Sequence, residues 1–392
     1  MNSKKQIKSY NLIIGLKSVF YRAIRAIGSM IPKEKNLWLF GCWDGKLYAD
    51  NSKYLFEYIN KEHPNVKCVW ITKNISVRDE IVNKGFKCCL RLSFQGVMYA
   101  LRAQAAFITS DEISDISPLI NRSHTKVIQL YHGISGKGTN IFVSEDQKKK
   151  TIKRFGQYYW MASSQKYIDV YSSAFMINER KFYITGYPRN DVFVNKPYND
   201  YMHNLKNKYP NHRFIIYMPT HRAYGKKPID ISEFKFIDNK LKEHDIIMVY
   251  KPHYNELKNV EESGNVYSNI ILAKDQNIWG DVYSYIHYFD LLISDYSSII
   301  YDFLCADKPI VLYTYDLEDF RKNDFGIMDF FEKVPLGPFC YTWAETISNI
   351  ICLLDNDTWR EKRNICREMF HPFKDGKNCE RVYSTTIKLL TK

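Results

Sequence analysis

From Asn36 onward, short apolar runs alternate with amphipathic stretches of helical length. This rhythm predicts an α/β protein of two doubly wound, Rossmann-like domains facing each other across a cleft. It occurs twice, and the two halves are separated by a polar stretch around 195–210 that carries Pro197 and Pro210 and has the weakest periodicity of the chain. Most of the apolar runs end in polar or Gly-containing loops, where open parallel sheets place their ligands. The 392 residues exceed what one core usually supports, and 45% hydrophobic residues mark a globular rather than a disordered chain.

The first segment, 1–35, is a basic amphipathic arm. Lys4, Lys5, Lys8, Lys17, Arg22, Arg25, Lys33 and Lys35 face Glu34 alone, so more than half of the formal +13 charge sits here. A helix is expected over 10–31, stopped by Pro32. Asn11, Gly15, Ser18, Arg22, Arg25 and Ser29 share one polar stripe, and apolar residues such as Leu12, Leu16, Phe20, Ile24 and Ile27 cover much of the rest. Such a helix suits the surface of an anionic membrane; the alternative is an ordinary helix packed on the protein core with its cations solvated. The arm is too apolar for a phosphate-binding tail, so no nucleic-acid partner is expected. Lys17 interrupts the apolar stretch 12–20, and neither a signal peptide nor a spanning helix is expected.

In the first domain, 36–198, strands are expected at 37–40, 66–72, 106–109, 127–130, 160–162 and 182–185. In the second, 199–375, they are expected at 213–218, 246–250, 269–272, 291–294 and 310–313. The remainder, 376–392, reads as a helix that returns to the first domain. Nine cysteines are scattered without a CxxC pair, and Cys88 and Cys89 are adjacent. Buried thiols in a reducing compartment follow, with no zinc-type spacing.

The strand-end loops carry the candidate chemistry. Strand 127–130 runs into Tyr131-His132-Gly133, followed by Gly136 and Lys137. An imidazole there accepts a hydroxyl proton near neutrality, and glycine lets a substrate approach the backbone; a histidine held in a turn is the plainer reading. Gly186-Tyr187-Pro188 is a turn signal that projects Arg189 beyond a strand end, or simply a rigid connection. Thr220 and Arg222 follow strand 213–218 and offer hydrogen bonds and charge to an anion. Lys251 and His253 end the next strand as a plausible phosphate site. In Ser294-Asp295-Tyr296-Ser297-Ser298, an apolar strand runs into hydroxyls and then a helix reaching Asp302. Ser297 and Ser298 suit N-capping, phosphate binding at the helix's positive end, or both.

The order of these segments is GCWDGKLYADN, LYHGISGKG, ITGYPRND, YMPTHR, VYKPH and LLISDYSSIIYDFLCADKPIVLYTYDLEDFR. In this order the chain closely resembles the CDP-glycerol glycerophosphotransferases, which build teichoic acids and related capsular polymers. The resemblance spans roughly 37 to 337, and its most specific part is the SDYSS–YDF–KPI–YDLEDFR run. It implies a GT-B-like architecture, with 36–198 as acceptor domain and 199–375 as CDP-donor-binding domain. His132 matches the family's catalytic base, with Tyr131 standing where Trp is usual, and His253 matches the second functional histidine, which supports the donor pyrophosphate. Ser297 and Ser298 match donor-binding hydroxyls, Asp295 and Asp302 the residues that hold loop and helix, and Thr220 and Arg222 the Pro-Thr-x-Arg segment. Gly45, Lys46, Asp50 and Asn51 match a segment bordering the acceptor side.

The resemblance further implies transfer of phosphoglycerol, or another phospho-alditol, from CDP-glycerol or CDP-ribitol to a polyprenyl-diphosphate-linked saccharide, releasing CMP at the cytoplasmic face of the bacterial membrane. No cofactor is expected, and no carboxylate cluster suggests a required metal ion. The length, without an added repeat, favours one or few additions. A GT-B nucleotide-sugar glycosyltransferase is the nearest alternative. A non-enzymatic basic membrane or nucleic-acid adaptor leaves His132, His253, Ser297 and Ser298 without a common task.

Overall fold

The computed structural model describes residues 21, 23–26, 28, 30–134, 136, 137, 145–222, 229, 231–252, 267–324, 326–334 and 336–391. The first domain holds a seven-stranded, wholly parallel sheet. Its strands are β1 (Leu37–Phe40), β2 (Lys67–Thr72), β3 (Cys88–Leu90), β4 (Ala105–Ile108), β5 (Lys126–Gln129), β6 (Tyr159–Ala162) and β7 (Phe182–Ile184), in the order β3-β2-β1-β4-β5-β6-β7. The second sheet is also parallel, formed by β8 (Arg213–Tyr217), β9 (Ile246–Tyr250), β10 (Ile270–Leu272), β11 (Leu291–Ser294), β12 (Ile310–Tyr313) and β13 (Phe339–Cys340), in the order β10-β9-β8-β11-β12-β13. All eleven strands expected from the sequence are present, with ends shifted by at most one residue. The two that periodicity missed, β3 and β13, are edge strands of three and two residues, too short to show a period-two pattern.

Both faces of each sheet are covered by helices, which is why the strands read as continuous apolar runs rather than alternating ones. On one face of the first sheet, Trp38, Phe40, Trp70 and Phe107 pack with Leu55, Phe56 and Ile59 of helix Asp50–Glu62. Val382 and Leu389 of helix Asn378–Leu390 join the same cluster, so the chain's last helix lies on the first domain. In the second sheet, Tyr217, Met248, Ile293 and Val311 pack with Trp343, Ile347 and Ile350 of helix Trp343–Asp355. The opposite faces of both sheets belong to one continuous apolar cluster that crosses between the domains.

The helix expected over 10–31 lies largely outside the described residues. Its described end turns in helical conformation, with Tyr21, Ile24 and Ile31 against the first domain's core and Gly28 so close to Leu101 that a Cβ would stand 2.4 Å from that side chain. All nine cysteines are free, and six of them are buried.

Candidate active site

In each sheet the strand order reverses once, between β1 and β4 in the first and between β8 and β11 in the second. At such a switch point the loops leaving adjacent strands diverge and open a crevice at their carboxyl ends. The candidate residues lie around these two crevices, which face each other.

On the first-domain side, Tyr131 and Gly133 both have positive φ, 51° and 104°, so the chain folds back sharply where β5 ends. His132 sits in this bend, its Nδ1 3.3 Å from the Thr109 carbonyl and its ring 5.6 Å from that of Trp43. The Thr109 amide is anchored by the Asp115 carboxylate (2.9 Å), which also accepts from the amides of Ser110 and Asp44 and so ties the loops after β1 and β4 together. Burial pushes the Asp115 carboxyl up to about 6 against those hydrogen bonds. With Nδ1–H donated to Thr109, the Nε2 lone pair is the basic one. Burial lowers the His132 pKa, opposed by Asp50, so the imidazole is neutral at pH 7.

Asn51, at the start of helix Asp50–Glu62, donates to the carbonyls of Leu130 (3.3 Å) and Tyr131 (3.0 Å) and accepts from the Arg189 amide (3.2 Å). Arg189 is buried and reaches four ways. Its guanidinium meets Asp50 at 2.5 Å, the His132 carbonyl at 3.1 Å and Asp302 of the second domain at 2.5 Å, and lies over the Tyr283 ring at 4.7 Å. Burial alone would depress its pKa, but Asp302, Tyr283 and Asp50 outweigh that and hold it above the usual value. Asp302 also accepts from Tyr283 (2.6 Å) and Asn190 (3.1 Å). A second contact between the domains joins Lys53 to Asp281 at 2.5 Å, with the Tyr54 hydroxyl on the same carboxylate.

On the second-domain side, Asp295 accepts from the amides of Thr220 (3.0 Å) and Tyr296 (2.7 Å) and from Arg222 (2.9 Å). Arg222 also holds Asp316 through Nε and Nη2 and the Thr220 carbonyl through Nη1. Sequence reasoning offered this guanidinium to an anion; in the structure it is buried and committed to Asp295 and Asp316, and so shapes the loop. The Thr220 hydroxyl, by contrast, is buried without a hydrogen-bond partner among the described residues. A buried hydroxyl left so is one that a ligand or an ordered water can satisfy. Ser297 and Ser298 are half-buried. The expected N-cap bond is not made: Ser298 at the cap position gives no side-chain hydrogen bond, helix Ile299–Phe303 has only five residues, and the amides of Ile300 and Tyr301 already reach the carbonyls of Ser297 and Ser298 at 3.4 and 3.2 Å. With the cap bond unmade, the Ser298 hydroxyl is not committed to the helix end.

The two sides meet at Gly133. A Cβ there would stand 2.6 Å from Arg189 Nη2, 3.3 Å from Ser298 Cβ and 3.6 Å from its hydroxyl. Lys137 continues the same loop across the cleft. It forms an isolated antiparallel bridge with Ile327, its amine lies within electrostatic reach of Asp295 and Arg222, and burial lowers its pKa. His132, Gly133, Lys137, Asp50, Asn51, Arg189, Thr220, Arg222, Asp295, Ser297, Ser298 and Asp302 thus share one site. Lys251 stands at the domain boundary, donating to the Trp279 carbonyl at 2.5 Å, with its pKa lowered by burial to about 8. Gly45 supports the loop after β1 through its carbonyl, and Lys46 is exposed beside Asp44 at 3.8 Å. His253 lies outside the described residues.

Trp43, Asp281, Tyr283 and Asp316 are the site residues that motif reading passed over. Trp43 stood inside the GCWDGKLYADN segment, and Asp316 inside the YDLEDFR run; Asp281 and Tyr283 had no local signal.

Two facing parallel-sheet domains with strand-end loops converging on one cleft define a two-domain α/β protein of the GT-B fold. Residues 24–388 match the family model described as CDP-Glycerol:Poly(glycerophosphate) glycerophosphotransferase, and the chain belongs to this family of enzymes. It is 26% identical to the teichoic acid poly(glycerol phosphate) polymerase of Bacillus spizizenii, over 89% of this chain and 91% of that protein. It is 24% identical to the teichoic acid glycerol-phosphate transferase of Staphylococcus aureus, over 92% and 95%. Against the Bacillus subtilis polymerase it is 26% identical over 98% of its own length but spans only 52% of that longer protein. In fold it superposes on the wall teichoic acid polymerase TagF with a TM-score of 0.76 at 22% identity, covering 99% of this chain and 97% of that one.

Proposed function

We propose that the protein transfers phosphoglycerol from CDP-glycerol to a hydroxyl of a lipid-linked cell-wall or capsule polymer precursor, with release of CMP. The observation that carries this reading is the juxtaposition at Gly133. It sets Ser298 of the second domain, with its Cβ 3.3 Å and its hydroxyl 3.6 Å from where a Gly133 Cβ would stand, against the loop of the first domain that carries the neutral, buried imidazole of His132. The acceptor hydroxyl gives its proton to Nε2 of His132 as its oxygen bonds to the phosphorus that bears glycerol. The bond from that phosphorus to the bridging oxygen of CMP breaks, and CMP departs with the electron pair. Ser297, Ser298 and Thr220 hydrogen-bond the oxygens on which charge grows, while Lys251 and Lys137 supply positive charge. His253, from the sequence, joins them on the donor pyrophosphate. Arg222, Asp295 and Asp302 hold these groups in place, and Asp50, Asn51 and Arg189 fix the loop that carries His132.

The test is CMP release by purified protein from CDP-glycerol and from CDP-ribitol, with a lipid-linked disaccharide acceptor. Release that depends on acceptor and falls about 10²–10⁴-fold in His132→Ala is the expected result. Wild-type rates in that variant would remove the base assignment. Release from a nucleotide sugar and from neither CDP-alditol would overturn the reaction class.

A further inference from the structure

Of the chain's seven tryptophans, Trp38, Trp70, Trp160, Trp279 and Trp343 are buried and Trp359 is half-buried. Trp43 alone is exposed, at 45%, and its ring lies 5.6 Å from that of His132, tilted by 42°. A single exposed apolar side chain is ordinary. What sets this one apart is its place beside the base and the way it is held.

The backbone under it is strained. Trp43, Asp44 and Gly45 follow one another at φ of 46°, 58° and 68°, in the left-handed region that a bulky side chain rarely enters. Such strain persists only where surrounding contacts fix it. Here the Trp43 amide donates to the Thr109 hydroxyl at 3.4 Å, and the Asp44 amide to the Asp115 carboxylate at 2.9 Å. The Gly45 amide closes the turn on the Cys42 carbonyl at 2.8 Å. The indole Nε1–H donates to Asp50 at 3.0 Å, and Asp50 also holds Arg189. Fixed at its backbone and at its ring nitrogen, the indole is a pre-ordered surface that loses little freedom when a ligand meets it. Beside it, Asp44 and Lys46 have side chains 55% and 68% exposed, an acceptor and a donor for hydroxyl groups.

We propose that Trp43 is the platform for a pyranose ring of the acceptor, so that the reacting hydroxyl is borne on, or next to, a sugar rather than an acyclic alditol-phosphate chain. The C–H groups on one face of a pyranose carry partial positive charge and meet the negative face of the indole, while the hydroxyls at the sugar's edge stay free for Asp44, Lys46 and the neighbouring imidazole. An acyclic alditol phosphate has no flat apolar face to offer. The inference rests on the saccharide-bearing acceptor read above and names the residue that selects it.

Binding is measured apart from turnover, by saturation-transfer NMR of the full chain as wild type, Trp43→Phe and Trp43→Ala. The probes are the methyl glycosides of glucose, galactose, mannose and N-acetylglucosamine, with glycerol 3-phosphate as the acyclic control. At least one pyranoside should bind wild type, about tenfold more weakly in Trp43→Ala but within about threefold in Trp43→Phe, which keeps a ring face and loses the bond to Asp50. Glycerol 3-phosphate should show no dependence on this side chain. In CMP release with the lipid-linked disaccharide, Trp43→Ala should raise the acceptor KM by a similar factor and leave the KM for CDP-glycerol unchanged. No pyranoside binding to wild type, or binding that survives in Trp43→Ala, overturns the platform. Equal loss in Trp43→Phe and Trp43→Ala also overturns it, assigning the indole to its hydrogen bond with Asp50. A raised KM for CDP-glycerol in place of the acceptor overturns it by moving the ring to the donor. If no CMP is released while pyranoside binding still depends on Trp43, the platform stands and the reaction reading falls.

Discussion

His132 shows how one side chain's environment sets a working pH range. Burial lowers its pKa and the Asp50 charge only partly restores it, so the free base persists to pH values below the ordinary histidine range. A general base acts in its deprotonated form, so kcat/KM should rise with pH through a midpoint below 6.5 and then level off. Lys251 sets the other side. Its ammonium, lowered to about 8 by burial, loses its charge as pH rises through that value, and a group that acts as a cation loses its effect in the same direction. A kcat/KM profile measured from pH 5 to 10 should therefore be bell-shaped. Lys251→Arg should extend the alkaline limb, because a guanidinium keeps its charge there. An acid midpoint above 7, or an alkaline limb that Lys251→Arg leaves in place, contradicts these roles.

At the scale of elements, the loop leaving β5 depends on Gly133. Its φ of 104° lies where L-residues are strained, and the space a Cβ would need is taken by Arg189 and Ser298. Gly133→Ala should cost about 1–2 kcal/mol in backbone strain and, more importantly, push Arg189 and Ser298 from His132. We expect kcat to fall at least about tenfold while thermal stability falls by only a few degrees. Equal loss of both would mark the glycine as structural alone. The same loop shows what a sequence makes legible. Strands and strand-end loops announce themselves because a continuous apolar run and the polar stretch after it are local, and thus His132, Thr220 and Ser298 could be picked out. Partners joined across the fold cannot. Arg189 meets Asp302 at a separation of 113 residues and Lys53 meets Asp281 at 228, so no local pattern distinguishes Asp281 from any surface acid. Capping failed as a guide for a related reason: Ser298 precedes a helix, but the helix is one short turn whose first amides bond to the preceding turn's carbonyls. Arg222 was legible as a cation offered to an anion after a strand, but its two carboxylates were not, because Asp295 and Asp316 lie 73 and 94 residues away.

At the scale of the whole molecule, the two domains share one apolar cluster and are crossed by buried ion pairs, and the chain returns from the second domain to finish on the first. The returning helix is held at its start, where the amides of Asn378 and Cys379 donate to Asp191 at 2.9 Å each, and along its length by Val382 and Leu389. Val382 is fully buried in the same cluster as Trp38 and Phe107. Val382→Ala should cost about 2 kcal/mol through lost burial and the cavity left behind. Were the domains independent, that loss would lower only the first domain's melting and leave a separate, unmoved transition for the second. Because the domains share a core and the Arg189–Asp302 pair cannot be opened without stranding a buried charge, the domains should unfold together. Calorimetry of wild type and variant should show a single transition moved down as a whole; a transition that splits, with its upper part unmoved, would show that the shared cluster does not couple the domains.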